Sequence, residues 1–195
     1  MIAAQAEFQN IFSDFQPKIV RYLARLVGEE EAEDLAQETF IKVSQGLDSF
    51  RGESKLSTWI YRIATNTALD RLRSPTFRLN SQMIREDEPD IILAEDIAVR
   101  DWPSGETANP IERQCVKNEM SFCLLGYIQK LPENYRAVIL LSDLEEIGNK
   151  EIAEILGVTL ETIKIRLHRA RAKLREELVT HCEFYWVEEL SWRVI

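Results

Sequence analysis

The sequence predicts an all-α protein: two small helical domains joined by an acidic, largely irregular linker, the second domain carrying a helix-turn-helix. Three observations carry this. Apolar residues recur at spacings of three and four through residues 7–73, and again from about residue 111 to 179, as on the buried face of a helix. No alternating polar and apolar run is long enough for a useful strand. Between the two periodic regions, residues 75–110 hold four prolines (Pro75, Pro89, Pro103, Pro110) and 8 acidic against 3 basic residues, with no period at all. The expected domains are therefore 1–74 and 111–179, with 75–110 as linker and 180–195 as a C-terminal tail.

The first helix is read from Phe8, Ile11, Phe12, Phe15, Ile19, Tyr22, Leu23 and Leu26, and Gly28 can end it. A second helix runs from about Glu29 to Leu47. Acids crowd its first turn, where the helix dipole favours them, and its apolar stripe is Ala36, Phe40, Val43 and Leu47. Residues Asp48–Ser54 read as a loop. A third helix spans about Leu56–Arg73 and stops at Ser74-Pro75. The linker holds at most one short helical turn, around Ile91–Val99. Helical pattern resumes from about Ile111 to Lys130. Leu131-Pro132-Glu133 then marks a new start, with Pro at the first helical position, and that helix reaches about Leu141. Asn149–Leu156, a turn at Gly157-Val158-Thr159 and a long helix from Leu160 to about Val179 complete the order.

Composition bounds the function. The chain has 195 residues, 45% hydrophobic and 29% charged, as in ordinary globular proteins. No apolar run approaches the ~20 residues that span a bilayer, so no membrane insertion is expected. Residues Met1–Asp14 lack the basic and apolar segments of a secretory signal. Cys115, Cys123 and Cys182 form no CxxC pair and are too few for a disulfide framework, which points to the cytosol. The net charge of −9 argues against nucleic acid only on average. Within residues 161–175 six cations (Lys164, Arg166, Arg169, Arg171, Lys173, Arg175) face one acid, Glu161. At a Debye length of about 8 Å, that local cluster outweighs the distant total.

The stretch Asn149–Arg166 is the most informative. Ala153 is small enough for a close helix crossing, and Gly157 can enter a left-handed turn. Val158 and Ile163 can fill the angle between helices, and Thr159 can cap the second one. This is a helix-turn-helix, whose second helix enters the DNA major groove. On a helical wheel Ile163, Leu167, Ala170 and Leu174 share the core face. Glu161, Ile165, His168 and Ala172 lie opposite, flanked by Lys164, Arg171 and Arg175 on one side and Thr162 and Arg169 on the other. Such a face suits base reading at its centre and phosphate contacts on its shoulders. The alternative, a solvated helix laced by ion pairs, fits poorly with six cations to one acid.

The third helix turns Leu56, Ile60, Ile63, Ala64 and Thr67 inward. Its other side gathers Trp59, Arg62, Asn66 and Arg73, a set that fits single-stranded or partly opened DNA, because aromatics stack on unpaired bases and Arg neutralises phosphate. A Trp that is simply core is the bland alternative for Trp59. On the second helix Asp34, Gln37, Glu38, Ile41 and Gln45 share the outer face. An exposed Ile among carboxylates and amides fits a protein-docking patch, and a solvated acidic face fits equally well.

Enzyme chemistry finds no support. There are two histidines, no GxxxxGK[ST], no GxSxG and no metal constellation; His181 and Cys182 are only two potential ligands. No metal and no cofactor are expected. A dimeric helix-turn-helix regulator would need a dimerisation surface and an effector or receiver domain, and residues 1–74 look like neither.

The segments Glu33–Val43 (EDLAQETFIKV), Phe50–Ser54 (FRGES) and Ser57–Ala68 (STWIYRIATNTA) resemble conserved region two of the extracytoplasmic-function (ECF) sigma factors of bacterial RNA polymerase. Leu131–Arg136 (LPENYR), the helix-turn-helix and His168–Leu174 (HRARAKL) resemble their region four. The resemblance implies a subunit that binds core RNA polymerase and directs it to promoter DNA. By it, Asp34, Gln37, Glu38 and Ile41 would dock on the polymerase clamp helices. The loop Phe50–Ser57, with Phe50, Arg51 and Ser54, would accept a base flipped from the −10 element, an extrusion that costs a few kcal/mol, and Trp59 would join the −10 contacts. Arg62, Asn66 and Arg73 would hold the opened strand. Thr162, Lys164, Ile165, His168, Arg169 and Arg171 would face the −35 duplex. Ile165 stands where the family often has a small polar residue, and could meet a thymine methyl. In the family the linker threads toward the catalytic cleft; a solubilising tether is the other reading. The resemblance also admits an anti-sigma factor as partner, without requiring one. The aromatic tail from Thr180 has no assigned role.

Overall fold

The computed structural model describes residues 2–75, 77 and 124–181. The turn expected around Ile91–Val99, the helix start at Ile111, the three cysteines and the tail beyond His181 lie outside the described residues, as does nearly all of the linker. Within them every regular element is helical.

Helix α1 (Ile2–Val27) runs through Pro17, which removes one backbone donor without ending it. Gly28 ends it. Its φ of 109° is open to glycine alone, and its N–H donates to the Ala24 carbonyl at 3.0 Å. Helix α2 (Glu29–Gly46) starts at once, with Glu29, Glu30 and Glu31 at the positive end of its dipole. A 3₁₀ turn at Leu47–Ser49 leads into the loop before α3 (Leu56–Arg73). Ile19, Tyr22, Leu23, Leu26, Val43, Ile60 and Ala64 are completely buried between the three helices. Each large aliphatic side chain so buried contributes roughly 1.5–3 kcal/mol. The folded part continues past residue 74: Phe77 donates its N–H to Ser74 Oγ at 3.3 Å, and the Arg71 guanidinium lies 5.7 Å from the centre of its ring.

The second domain opens on α4 (124–130) and α5 (Glu133–Ile139). Pro132 sits one position earlier than expected, as the N-cap residue in extended conformation. The helix expected to reach Leu141 instead widens into a π turn over Leu140–Leu144, where the Glu145 N–H reaches the Leu140 carbonyl at 3.0 Å and the Ile147 N–H reaches Leu141 at 2.9 Å. The chain leaves this turn through Glu146, whose φ of 53° is unusual for a non-glycine residue. Helix α6 (Asn149–Leu156) and α7 (Leu160–His181) follow. Gly157 takes the left-handed conformation between them, and the Val158 N–H donates to the Ala153 carbonyl at 3.1 Å. Ile163, Leu167, Ala170 and Leu174 are buried, as the wheel requires.

The two domains pack on each other. Helix α6 lies against α3, while α5 meets α1 and α3 and the π turn meets α1. Helix α3 is therefore enclosed by its own domain and by the other, and Tyr61, Thr65, Ala68, Leu69 and Leu72 are buried in addition to its apolar stripe.

Candidate nucleic-acid interface

Helix α3 leaves Arg62 and Asn66 exposed, one turn apart. Trp59 is half-buried one turn before them. Its ring centre lies 5.0 Å from that of Phe50, tilted by 34°. Gly46 makes this possible, since a Cβ there would stand 3.0 Å from Trp59 Cζ2. Both readings of Trp59 thus hold in part: it is packed on one side and forms an aromatic floor beside the loop. Arg51 is exposed and Ser54 half-buried in that loop. Arg73 is exposed but engaged, its Nε donating to Glu133 Oε1 of the second domain at 2.7 Å.

On α2, Asp34, Gln37, Glu38 and Ile41 are all exposed. Ile41 stands 56% exposed, and Phe12 of α1, at 41%, is the other large exposed apolar side chain among the described residues. Glu38 pairs with Lys42 at 2.8 Å, and Lys42 also donates to Thr67 Oγ1 at 2.9 Å, which ties α2 to α3. A second tie comes from Arg71, whose Nε and Nη2 both reach the Glu31 carboxylate at 2.8 Å. That guanidinium holds the Glu31 carboxyl below its ordinary pKa.

On α7, Lys164 and His168 are exposed, while Thr162, Ile165 and Arg169 are half-buried. Two of the expected readers are held within their own domain. Thr159 Oγ1 accepts the Thr162 N–H at 3.1 Å, the expected cap, and the two threonine hydroxyls share a hydrogen bond of 2.9 Å. Arg171 donates to Asp143 Oδ1 at 2.5 Å and reaches Ser142 Oγ at 3.4 Å, so it braces α7 against the π turn.

The seam between the domains holds polar contacts that sequence reasoning did not single out. The Tyr61 hydroxyl donates to Glu145, whose other oxygen lies 3.7 Å from Arg25. Burial and the Glu145 carboxylate push the Tyr61 phenol up, and burial pushes up Tyr22, so both stay neutral. Tyr22 shares a hydrogen bond of 2.9 Å with Thr65 Oγ1. Lys55 pairs with Glu151 at 2.5 Å. Arg136 is 3% exposed and donates to three carbonyls: Leu26 at 2.7 Å, Leu131 at 3.0 Å, and Gln129. Leu26 and Gln129 lie in the last turns of α1 and α4, where the negative end of a helix dipole favours a cation. Burial lowers the Arg136 pKa to about 10, which leaves it charged at neutral pH. Two open clefts flank the seam. One, of about 640 Å³, is lined by Lys55, Lys150, Glu151, Leu160 and Lys164; the other, of about 400 Å³, by Lys18, Arg21, Tyr61, Glu145 and Glu146.

Among the described residues no group of three or more His, Cys, Asp or Glu side chains could hold a metal ion, and no helix is long and apolar enough to cross a membrane. Residues 11–77 match the family model for Sigma-70 region 2, and residues 121–174 match that for Sigma-70 region 4. The ECF RNA polymerase sigma factor SigW of Bacillus subtilis is 37% identical over 185 residues, covering 89% of this chain and 90% of the relative. The chain belongs to the ECF RNA polymerase sigma factors. Two further members agree: the sigma-E factor of Haemophilus influenzae is 31% identical over 88% of this chain and 87% of its own, and that of Escherichia coli K12 is 34% identical over 86% and 84%. Among solved structures, CnrH in complex with the cytosolic domain of CnrY superposes with a TM-score of 0.60 at 20% identity, over 91% and 90% of the two chains. RpoE in complex with the anti-sigma factor NepR, from Bartonella quintana, gives 0.61 at 23% identity over 90% and 98%. These two likenesses establish the shared fold. As an ECF sigma factor the chain serves promoter-specific transcription initiation by RNA polymerase, a DNA-binding role.

Proposed function

We propose that the two domains divide a promoter between them. The first, residues 1–74, takes the opened −10 strand; the second, residues 111–179, takes the −35 duplex. The exposed pair Arg62 and Asn66, on the helix whose Trp59 floors the neighbouring loop, is the observation that carries this reading. A single strand offers phosphates to a guanidinium and base faces to an aromatic, and α3 presents both on one side. Phe50, Arg51 and Ser54 border the place where an extruded base would stack. Lys164 and His168 are the open positions of α7, with Ile165 and Arg169 beside them; Thr162 and Arg171 act by setting the helix rather than by reaching the bases. Asp34, Gln37, Glu38 and Ile41 form the surface for the polymerase clamp helices. The chain works in the cytoplasm, a reading supported by its kinship with RNA polymerase sigma factors. An anti-sigma factor is a further partner, a reading supported by the complexes in which the two structural neighbours occur.

The test separates opening from docking. With core polymerase and promoter DNA, Arg62→Ala/Asn66→Ala should reduce strand opening, read by permanganate reactivity of −10 thymines, at least tenfold, and leave closed-complex affinity within about twofold. Equal losses in both would remove the strand-holding role.

A further inference from the structure

Helix α7 carries a straight exposed stripe, Lys164, His168, Arg171 and Arg175, at spacings of four, three and four, about 16 Å long at 1.5 Å per residue. Among the described residues Arg171 is the one cation of this stripe held in an ion pair. The pair is side-on: Nε donates to Asp143 Oδ2 at 3.2 Å and Nη2 to Oδ1 at 2.5 Å. Ser142 fixes the acceptor in turn, its hydroxyl donating to Asp143 Oδ1 at 2.8 Å and lying 3.4 Å from Arg171 Nη2. The π turn makes the arrangement possible. Leu140 and Leu141 stay buried beneath it, while Ser142 and Asp143 come out half-buried beside α7.

Stability does not account for so ordered a pair. The Arg171 side chain is 48% exposed and that of Asp143 25%, and ion pairs this close to water stabilise a fold little. What the pair fixes is direction. Bonding through Nε and Nη2 uses one edge of the planar guanidinium. Nη1 and the second hydrogen of Nη2 remain at its outer end, two parallel donors matched to two oxygens of one phosphate. Arg171 stands on the shoulder of the face rather than at the centre formed by Ile165 and Ala172, the place for a backbone contact and not for a base edge. A guanidinium already held also loses less freedom on binding than a free one.

We infer that Asp143, braced by Ser142, is a positioning residue that aims Arg171 at a single phosphate of the −35 duplex. This rests on the second domain taking that duplex, as stated above. Charge and geometry oppose each other here. A carboxylate beside a DNA face repels phosphate, so on charge alone its removal tightens binding. A carboxylate that aims Arg171 weakens binding when it is lost.

The experiment uses the full chain with core polymerase on a promoter fragment recovered by run-off transcription, in which neutral methylphosphonates replace the −35 phosphates one at a time. The parent should lose about tenfold in closed-complex affinity at one position of the block. Arg171→Ala should bind the unmodified fragment about tenfold less tightly and be indifferent to that position. Asp143→Ala should bind about fivefold less tightly with the same position silenced, and Asp143→Glu should return both readings to within about twofold of the parent. In Arg171→Ala/Asp143→Ala the second change should cost nothing further, as for two groups acting as one. Loss of a merely structural ion pair would leave the methylphosphonate pattern intact. Tighter binding by Asp143→Ala, weaker binding with the position still sensitive, or an added loss in the double variant would each overturn the aiming role and leave the −35 assignment standing. A parent indifferent to every −35 methylphosphonate would overturn that assignment and the aiming role with it.

Discussion

The interior of each domain is predominantly apolar, whereas the seam between them adds ion pairs to the apolar packing of α6 on α3. Inside, Ile19, Leu23, Leu26 and Ile60 on one side, and Ile139, Leu140, Ile163 and Leu174 on the other, are sealed from water, and salt barely touches that contribution. Across the seam, carboxylates meet cations near solvent, where ions screen them.

Arg136 is where the contrast is hardest to keep apart, because it serves both. Its guanidinium satisfies Gln129 and Leu131 inside the second domain and Leu26 across the seam. Arg136→Ala should cost the second domain about 3 kcal/mol, since a cavity and unpaired carbonyls are left together. Chemical denaturation followed by circular dichroism measures it, and a loss below about 1 kcal/mol would show that the arginine belongs mainly to the seam. Thr159→Ala should do less. It removes the hydroxyl that accepts the Thr162 N–H and should lower stability by about 1 kcal/mol, with no change in hydrogen exchange of the α3 amides that face α6. Faster exchange there would mean that the start of α7 helps to set the seam.

Much of this was legible beforehand, for identifiable reasons. Helix α3 runs from Leu56 to Arg73 as read, and the helix-turn-helix has the expected limits at Asn149–Leu156 and Leu160, because proline, glycine and a capping threonine punctuate the chain there. The core face of α7 was legible because a helix reports its own apolar stripe. Periodicity does not say what covers a polar residue from elsewhere. Tyr61, one step off the stripe of α3, is buried against a carboxylate 84 positions away. Arg171, on the shoulder of the expected DNA face, pairs with Asp143, 28 positions away, a partner the helical wheel could not show. The π turn at Leu140–Leu144 was hidden for a related reason: an extra residue in a helical turn leaves the local composition helical, and only the Leu140-to-Glu145 hydrogen bond distinguishes it.

The central claim is that this chain gives RNA polymerase its promoter. Run-off transcription with purified core polymerase and a genomic fragment library tests it most directly. Core plus the chain should yield discrete transcripts, each preceded by a shared pair of sequence blocks about 25 base pairs apart, and core alone should yield none. If the chain neither co-elutes with core polymerase nor changes what core transcribes, the claim is contradicted.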